Sequence, residues 1–185
     1  MSLCARGTTL IASTREDNLT VSRLTNLVPG DQKRGAEIMS TQEIRLQADF
    51  RQRAKANDVP VARLIGFEAK DLGHGRATVV LAAGPQHANP MGTLHGGILC
   101  DIADAAMGMA FASTLVPKES FTTVELKINF FRPVWQTRLK AEAIVVHRGR
   151  TIGYTECTIT DGEDRLVARA VSTCMVLRGQ RATGR

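Results

Sequence analysis

The stretch over residues 95–114 constrains this chain more than any other part of it. It is rich in Ala, Met and Gly, contains no Pro and is too long for a strand, so it predicts a helix of about five turns. Apart from Asp101 and Asp104 it is apolar nearly all round, and such a helix has to be covered on most of its faces. The segments available to cover it are β in character. Residues 122–131, 138–147, 151–160 and 166–177 carry β-branched side chains in partial alternation and read as a meander. Arg148-Gly149-Arg150 and Asp161-Gly162-Glu163-Asp164 supply the turns between the last three, with glycine accepting a positive φ. Ahead of the helix, residues 65–69 and 76–82 form a hairpin through Leu72-Gly73-His74-Gly75, and residues 84–93 form a loop. The arrangement that buries both faces most simply is α+β, one curved antiparallel β-sheet wrapped around a long central α-helix.

At 185 residues, 43% of them apolar, the chain can bury one such core. Residues 1–38 show no sustained period and read as a tail; their Ser, Thr and Arg suit a transit peptide, but Glu16, Asp17 and Asp31 argue against one. The domain is expected over residues 39–178. It opens with a helix capped by Ser40 or Thr41, carrying Ile44, Ala48, Phe50 and Ala54, and stopped at Asn57-Asp58-Val59-Pro60. Residues 179–185 read as a basic solvated tail.

Composition excludes several function classes. One Trp, one Tyr and six Phe are too few to build a stacking platform for nucleic acid. The net charge of +6 comes from intermixed acids and bases, a field that suits a small anionic ligand. Cys4, Cys100, Cys157 and Cys174 form no CxxC pair and have no His at ligand spacing, so neither a zinc site nor a thioredoxin motif is suggested. Reduced thiols, no signal-peptide core and no run of about 18 apolar residues together point to a cytoplasmic protein without a membrane segment.

The chemistry concentrates in Asn89-Pro-Met-Gly-Thr-Leu-His95-Gly96-Gly97 and the helix that follows. A His-Gly-Gly at a helix start leaves backbone N–H groups unpaired beside residues that let a ligand come close. The helix dipole adds positive charge there, a good place to polarise a carbonyl. Close packing at the helix entry is the plainer role for Gly96 and Gly97. Asp104 lies mid-helix among alanines, where a carboxylate needs a partner or a task. It either forms a solvated stripe with Asp101 or acts as nucleophile or general base toward an acyl carbon. Gly96 and Asp104 are eight residues apart, about 12 Å along the axis, too far for one carbonyl to touch both. If both serve one acyl group, they come from two chains at a two-fold interface.

These residues, with Thr122-Thr-Val-Glu-Leu-Lys-Ile-Asn-Phe-Phe-Arg-Pro133, His147-Arg-Gly-Arg150 and Leu166-Val-Ala-Arg-Ala170, resemble the PaaI-like, phenylacetyl-CoA type, branch of the hotdog-fold acyl-CoA thioesterases over residues 60–177. The resemblance implies hydrolysis of aryl-acetyl, short or medium-chain acyl-CoA to free acid and CoA. It implies that Gly96 N–H polarises the thioester carbonyl and that Asp104 of the partner subunit attacks it or activates water. Asn89 and His95 would orient water or thioester, and Thr123, with Thr122 adjacent, would sit near the acid. His95 could equally cap the helix. Gly97 would leave room for substrate, while Arg132, Arg148 and Arg150 could meet the CoA phosphates. A homodimer with shared sites, alone or as a dimer of dimers, follows, with no cofactor. A non-catalytic acyl-CoA-binding module and an acyl-thioester dehydratase are the competing readings; Asp104 speaks against the first and the lack of a second His–carboxylate motif against the other.

Overall fold

The computed structural model describes residues 59–182, so the expected tail and the capped helix before Asn57 lie outside the described residues, as do residues 183–185. Pro60, expected as a stop signal, instead opens a short helix, α1 (Pro60–Ile65), at a position where a missing N–H costs nothing. Gly66, at φ 87°, ends it with its N–H on the Ala62 carbonyl.

The hairpin follows as β1 (Phe67–Gly73) and β2 (Arg76–Ala83). Gly73 pairs with Arg76 across His74 and Gly75, whose φ values of 36° and 76° are the paired positive angles that a two-residue hairpin turn of the right twist demands. The long helix is α2 (Gly96–Ala112), and after it come β3 (Glu119–Phe130), β4 (Thr137–Arg148), β5 (Ile152–Thr160) and β6 (Leu166–Arg178). All neighbours are antiparallel in one six-stranded sheet of order β1-β2-β4-β5-β6-β3.

The last three strands form the expected meander, but β3 does not join it. It passes to the far edge and pairs with β6, Glu119 opposite Arg178 and Phe130 opposite Ala168. Residues 131–136 carry the chain back past the start of α2, held by Phe131 N–H and Arg132 N–H on Val167 O and by Leu94 N–H on Val134 O. This connection contains Pro133 and none of the Gly or Asn signals of a tight hairpin.

Leu99, Ile102, Ala103, Ala106, Met107, Ala110 and Phe111 form the buried stripe of α2. The first six meet Val79, Leu81, Leu139, Ala141, Ile159 and Val167 from the sheet, all essentially inaccessible, while Phe111 packs with Cys174 and Val176. Each such large side chain contributes about 1.5–3 kcal/mol. At the end of the helix the fit is tight, since a Cβ on Gly153 would stand 2.0 Å from Phe111 Cε2. There Ser113 Oγ donates to Ala110 O at 2.7 Å and accepts Gly75 N–H at 2.8 Å, tying the hairpin turn to the helix.

Two turn expectations need correction. Neither Gly149 nor Gly162 has a positive φ. Gly149 is required by space instead, since a Cβ there would lie 2.8 Å from Ile152 O. In the other turn the positive angle belongs to Asp164, φ 58°, and the turn is organised by the Asp161 carboxylate, which accepts the Glu163 and Arg165 N–H groups at 3.0 Å each. Beyond β6, residues Gly179–Ala182 form a 3-10 turn with no buried residue. Among the described residues no helix is long and apolar enough to cross a membrane.

Candidate active site

The entry to α2 is built by two histidines. His87 is buried; its Nδ1 accepts the Gly84 N–H at 3.0 Å and its Nε2 donates to Ile65 O at 2.8 Å, while its carbonyl accepts the His95 N–H. That bonding uses a ring proton on Nε2 and the lone pair of Nδ1. His87 escapes a sequence reading because a lone His behind Gly-Pro looks like any loop residue. His95 is the N-cap, and its Nδ1 accepts the Gly97 N–H at 2.9 Å. A Cβ on Gly97 would stand 2.9 Å from that nitrogen, so glycine is what lets the ring close onto the helix end.

With Gly97 N–H capped and Ile98 N–H on His95 O, the Gly96 N–H has no acceptor among the described residues. It remains a half-exposed donor at the positive end of a 17-residue helix. Asn89 shapes the approach. Its Oδ1 accepts Met91 N–H at 2.9 Å and Thr93 N–H at 3.2 Å, and its Nδ2 donates to Thr93 Oγ1 at 2.8 Å, leaving one amide hydrogen uncommitted.

Asp104 lies on the side of α2 that the sheet leaves open, in line with Gly97, Asp101 and Gly108. Thr123 Oγ1 donates to its Oδ1 over a long 3.4 Å, which selects Thr123 over Thr122 as its neighbour. A bulge in β3 between Thr123 and Glu125 sets this up: Thr123 pairs with buried Cys174 on the helix side, and Glu125 turns to the other face, where Thr173 Oγ1 donates to it at 3.3 Å. Surrounding protein pushes the Asp104 carboxyl pKa up, the Thr123 hydroxyl pulls it partly back, and the Asp101 charge adds to the rise. The net direction is upward although solvent reaches the group within one chain.

The three arginines do not gather. Arg132 is exposed just after β3, beside the start of α2. Arg148 lies at the other end of the helix, fifteen residues or about 22 Å away along the axis, where its guanidinium stacks 5.3 Å over the Phe111 ring. It is committed to Glu119 at 2.6 Å and to Gly149 O, and Glu119 also pairs with Arg178, so one carboxylate is shared between two guanidiniums. Arg150 is exposed near it, and its carbonyl accepts from Arg178 at 2.6 Å. Cys100, Cys157 and Cys174 are unpaired, and burial pushes each thiol up, Cys157 to about 12. Among the described residues no His, Cys, Asp and Glu side chains cluster as metal ligands would.

Residues 91–168, from the loop before α2 into β6, match the family model of the thioesterase superfamily. A thioesterase family protein of Silicibacter pomeroyi is 30% identical in sequence and superposes with a TM-score of 0.66, over 72% of this chain and 99% of that one. The chain belongs to the thioesterase superfamily. Its sheet wrapped on α2 is the hotdog fold of that superfamily. The 1,4-dihydroxy-2-naphthoyl-CoA hydrolase of Listeria monocytogenes is 28% identical over 112 residues, 60% of this chain and 89% of its own. PaaI of E. coli, from the phenylacetic acid degradation operon, shares the fold with a TM-score of 0.65 at 24% identity, over 72% of this chain and 96% of that one. In this thioesterase-superfamily domain the span matched by the family model contains Gly96, Asp104 and Thr123 together.

Proposed function

We propose that this protein hydrolyses acyl-CoA thioesters to the free acid and CoA, in sites shared between two copies of the chain. The observation that carries the reading is a single acid, Asp104, bonded to Thr123 on the open side of a helix whose start holds the unpartnered Gly96 N–H. The Gly96 N–H receives the thioester carbonyl oxygen and stabilises the oxyanion as the carbon becomes tetrahedral. Asp104 of the second copy either draws the proton from an attacking water or attacks the carbon itself, forming an anhydride that water then opens. In both routes the C–S bond breaks, the CoA thiol takes up the proton, and the acid leaves. Its raised pKa makes Asp104 a better base than an ordinary carboxylate.

Two features support sharing between copies. The axial distance of about 12 Å along one helix keeps the two groups of one chain apart. β3 is also an edge strand of twelve residues, with Val124 60% exposed and Phe130 53% exposed at that edge, a row of backbone groups ready to pair with its own copy. Asn89 and His95 keep the donor end in shape, His95 Nε2 and one Asn89 amide hydrogen staying free for water or thioester. Gly97 leaves room beside it, and the exposed Arg132 at one end of the helix and Arg150 at the other each offer charge to CoA phosphates, with Arg148 held beside Arg150 by Glu119. Thiol release from a panel of acyl-CoAs, followed with a thiol reagent, tests the reading. Steady release that Asp104→Asn abolishes supports it; binding without turnover across the panel would leave only a carrier.

A further inference from the structure

Strand β6 carries two small polar side chains into the core, Ser172 at 2% and Cys174 at 1% exposure, both on the face that α2 covers. An apolar residue would fill either place, and a hydroxyl is costly to bury without a partner. Ser172 Oγ lies 3.9 Å from Cys174 Sγ, its hydrogen-bond partner among the described residues. Cys174 in turn stands directly across from Thr123 in the register of β3 and β6. Thr123 Oγ1 then reaches Asp104 Oδ1 at 3.4 Å. Ser172, Cys174, Thr123 and Asp104 thus form one line from the core to the acid.

The line has a direction. A carboxylate only accepts, so the Thr123 proton goes to Asp104 and the Thr123 oxygen is open to a donor. Burial pushes the Cys174 thiol pKa up, the Ser172 hydroxyl pulls it back, the Asp104 charge raises it again and the Thr123 hydroxyl lowers it. The thiol therefore keeps its proton at neutral pH and has one to give. Without a donor behind it, a hydroxyl that makes so long a bond can rotate away from the acid. We infer that Cys174 is a positioning residue for Asp104: its S–H, backed by the Ser172 O–H, donates to Thr123 Oγ1 and keeps the Thr123 proton on the carboxylate. This rests on Asp104 being the acid of the hydrolase reading above and deepens it. Few charges compete with the line. Asp101, one turn earlier on α2, is the charged group that bears on Asp104, while Glu125 and Lys127 of β3 point to the other face of the sheet. β6 presents Ala170, Ser172, Cys174 and Val176 on the helix side, none of them charged.

The test reads Asp104 twice, by carbon NMR titration of its Cγ and by the acid limb of kcat/KM for hexanoyl-CoA. Cys174→Ala moves the Cγ midpoint to higher pH and lowers kcat/KM on the acid limb about 3-fold, with the plateau unchanged. Cys174→Ser, which keeps a donor, stays at the wild-type midpoint. In a Thr123→Val background Cys174→Ala adds nothing, because the line is already cut. A wild-type midpoint in folded Cys174→Ala overturns the proposal. So does an equal shift with and without the Thr123 hydroxyl, which would leave the thiol a packing element. Should Cys174→Ala not fold, Ser172→Ala decides in its place: a midpoint moved the same way is expected, and an unmoved one overturns the line. If the wild type releases thiol from no acyl-CoA, the hydrolase reading fails, and the Cγ midpoints alone still judge Cys174.

Discussion

A carboxyl whose folded pKa is raised binds its proton more tightly in the fold than in the unfolded chain. For Asp104 this means that its contribution to stability is present below the unfolded pKa and is lost as pH rises through the higher folded value. Asp104→Asn therefore melts no lower than wild type at pH 7, while thioester turnover falls at least about 100-fold. A Tm scan beside a thiol-release assay checks both halves. The Thr123 hydroxyl is what pulls the Asp104 pKa down, so Thr123→Val moves the acid limb of the kcat/KM profile to higher pH. An unmoved limb would show that this bond does not tune the acid. Asp104 was legible in the sequence because a charge among alanines demands a reason. Thr123 was not separable from Thr122, since a strand start says nothing of a bulge one residue on. His95 caps the helix through Nδ1, and among the described residues its Nε2 has no partner.

At the scale of elements, α2 declares itself by composition, but how closely it lies on the sheet does not. That distance is set by Gly153, whose missing side chain is filled by the Phe111 ring. Gly153→Ala forces the ring or the strand to move and costs about 1–3 kcal/mol, read as a lower urea midpoint. An unchanged midpoint would mean that the helix end shifts freely. The strands were readable from alternation, which names a strand and its two faces but not its neighbour. For β4, β5 and β6 the turns settle the neighbour; for β3 the connection through Pro133 crosses the sheet, and nothing in its own pattern reports that. The turn glycines were found at the right places for the wrong reason, crowding at Gly149 and not its angle.

For the molecule as a whole, a helix apolar on nearly every side was expected to be covered on most of them, and the chain's own sheet covers one stripe. Gly97, Asp101, Asp104 and Gly108 are left outside it. Mixing decides whether a second copy completes the site. A heterodimer of an Asp104→Asn subunit with a Gly96→Val subunit carries both defects in one site and neither in the other. It recovers about half of wild-type turnover while each parent homodimer is nearly inactive. A purified heterodimer as inactive as its parents would place both groups in one chain's site and undo the shared arrangement.

The pairing of β3 with β6 sets an order of events in synthesis. Glu119 and Arg178 are 59 residues apart and lie side by side in the finished sheet. A chain emerging from the ribosome N-terminus first releases β3 long before its partner exists. Until β6 follows, Thr123 has no strand to hold it against Asp104, and a twelve-residue edge waits unpaired. Closing so long a loop is slow, and an unpaired strand is exposed to aggregation in the meantime. The acid's immediate surroundings are thus among the last parts of the protein to form, completed only when nearly the whole described chain has been made.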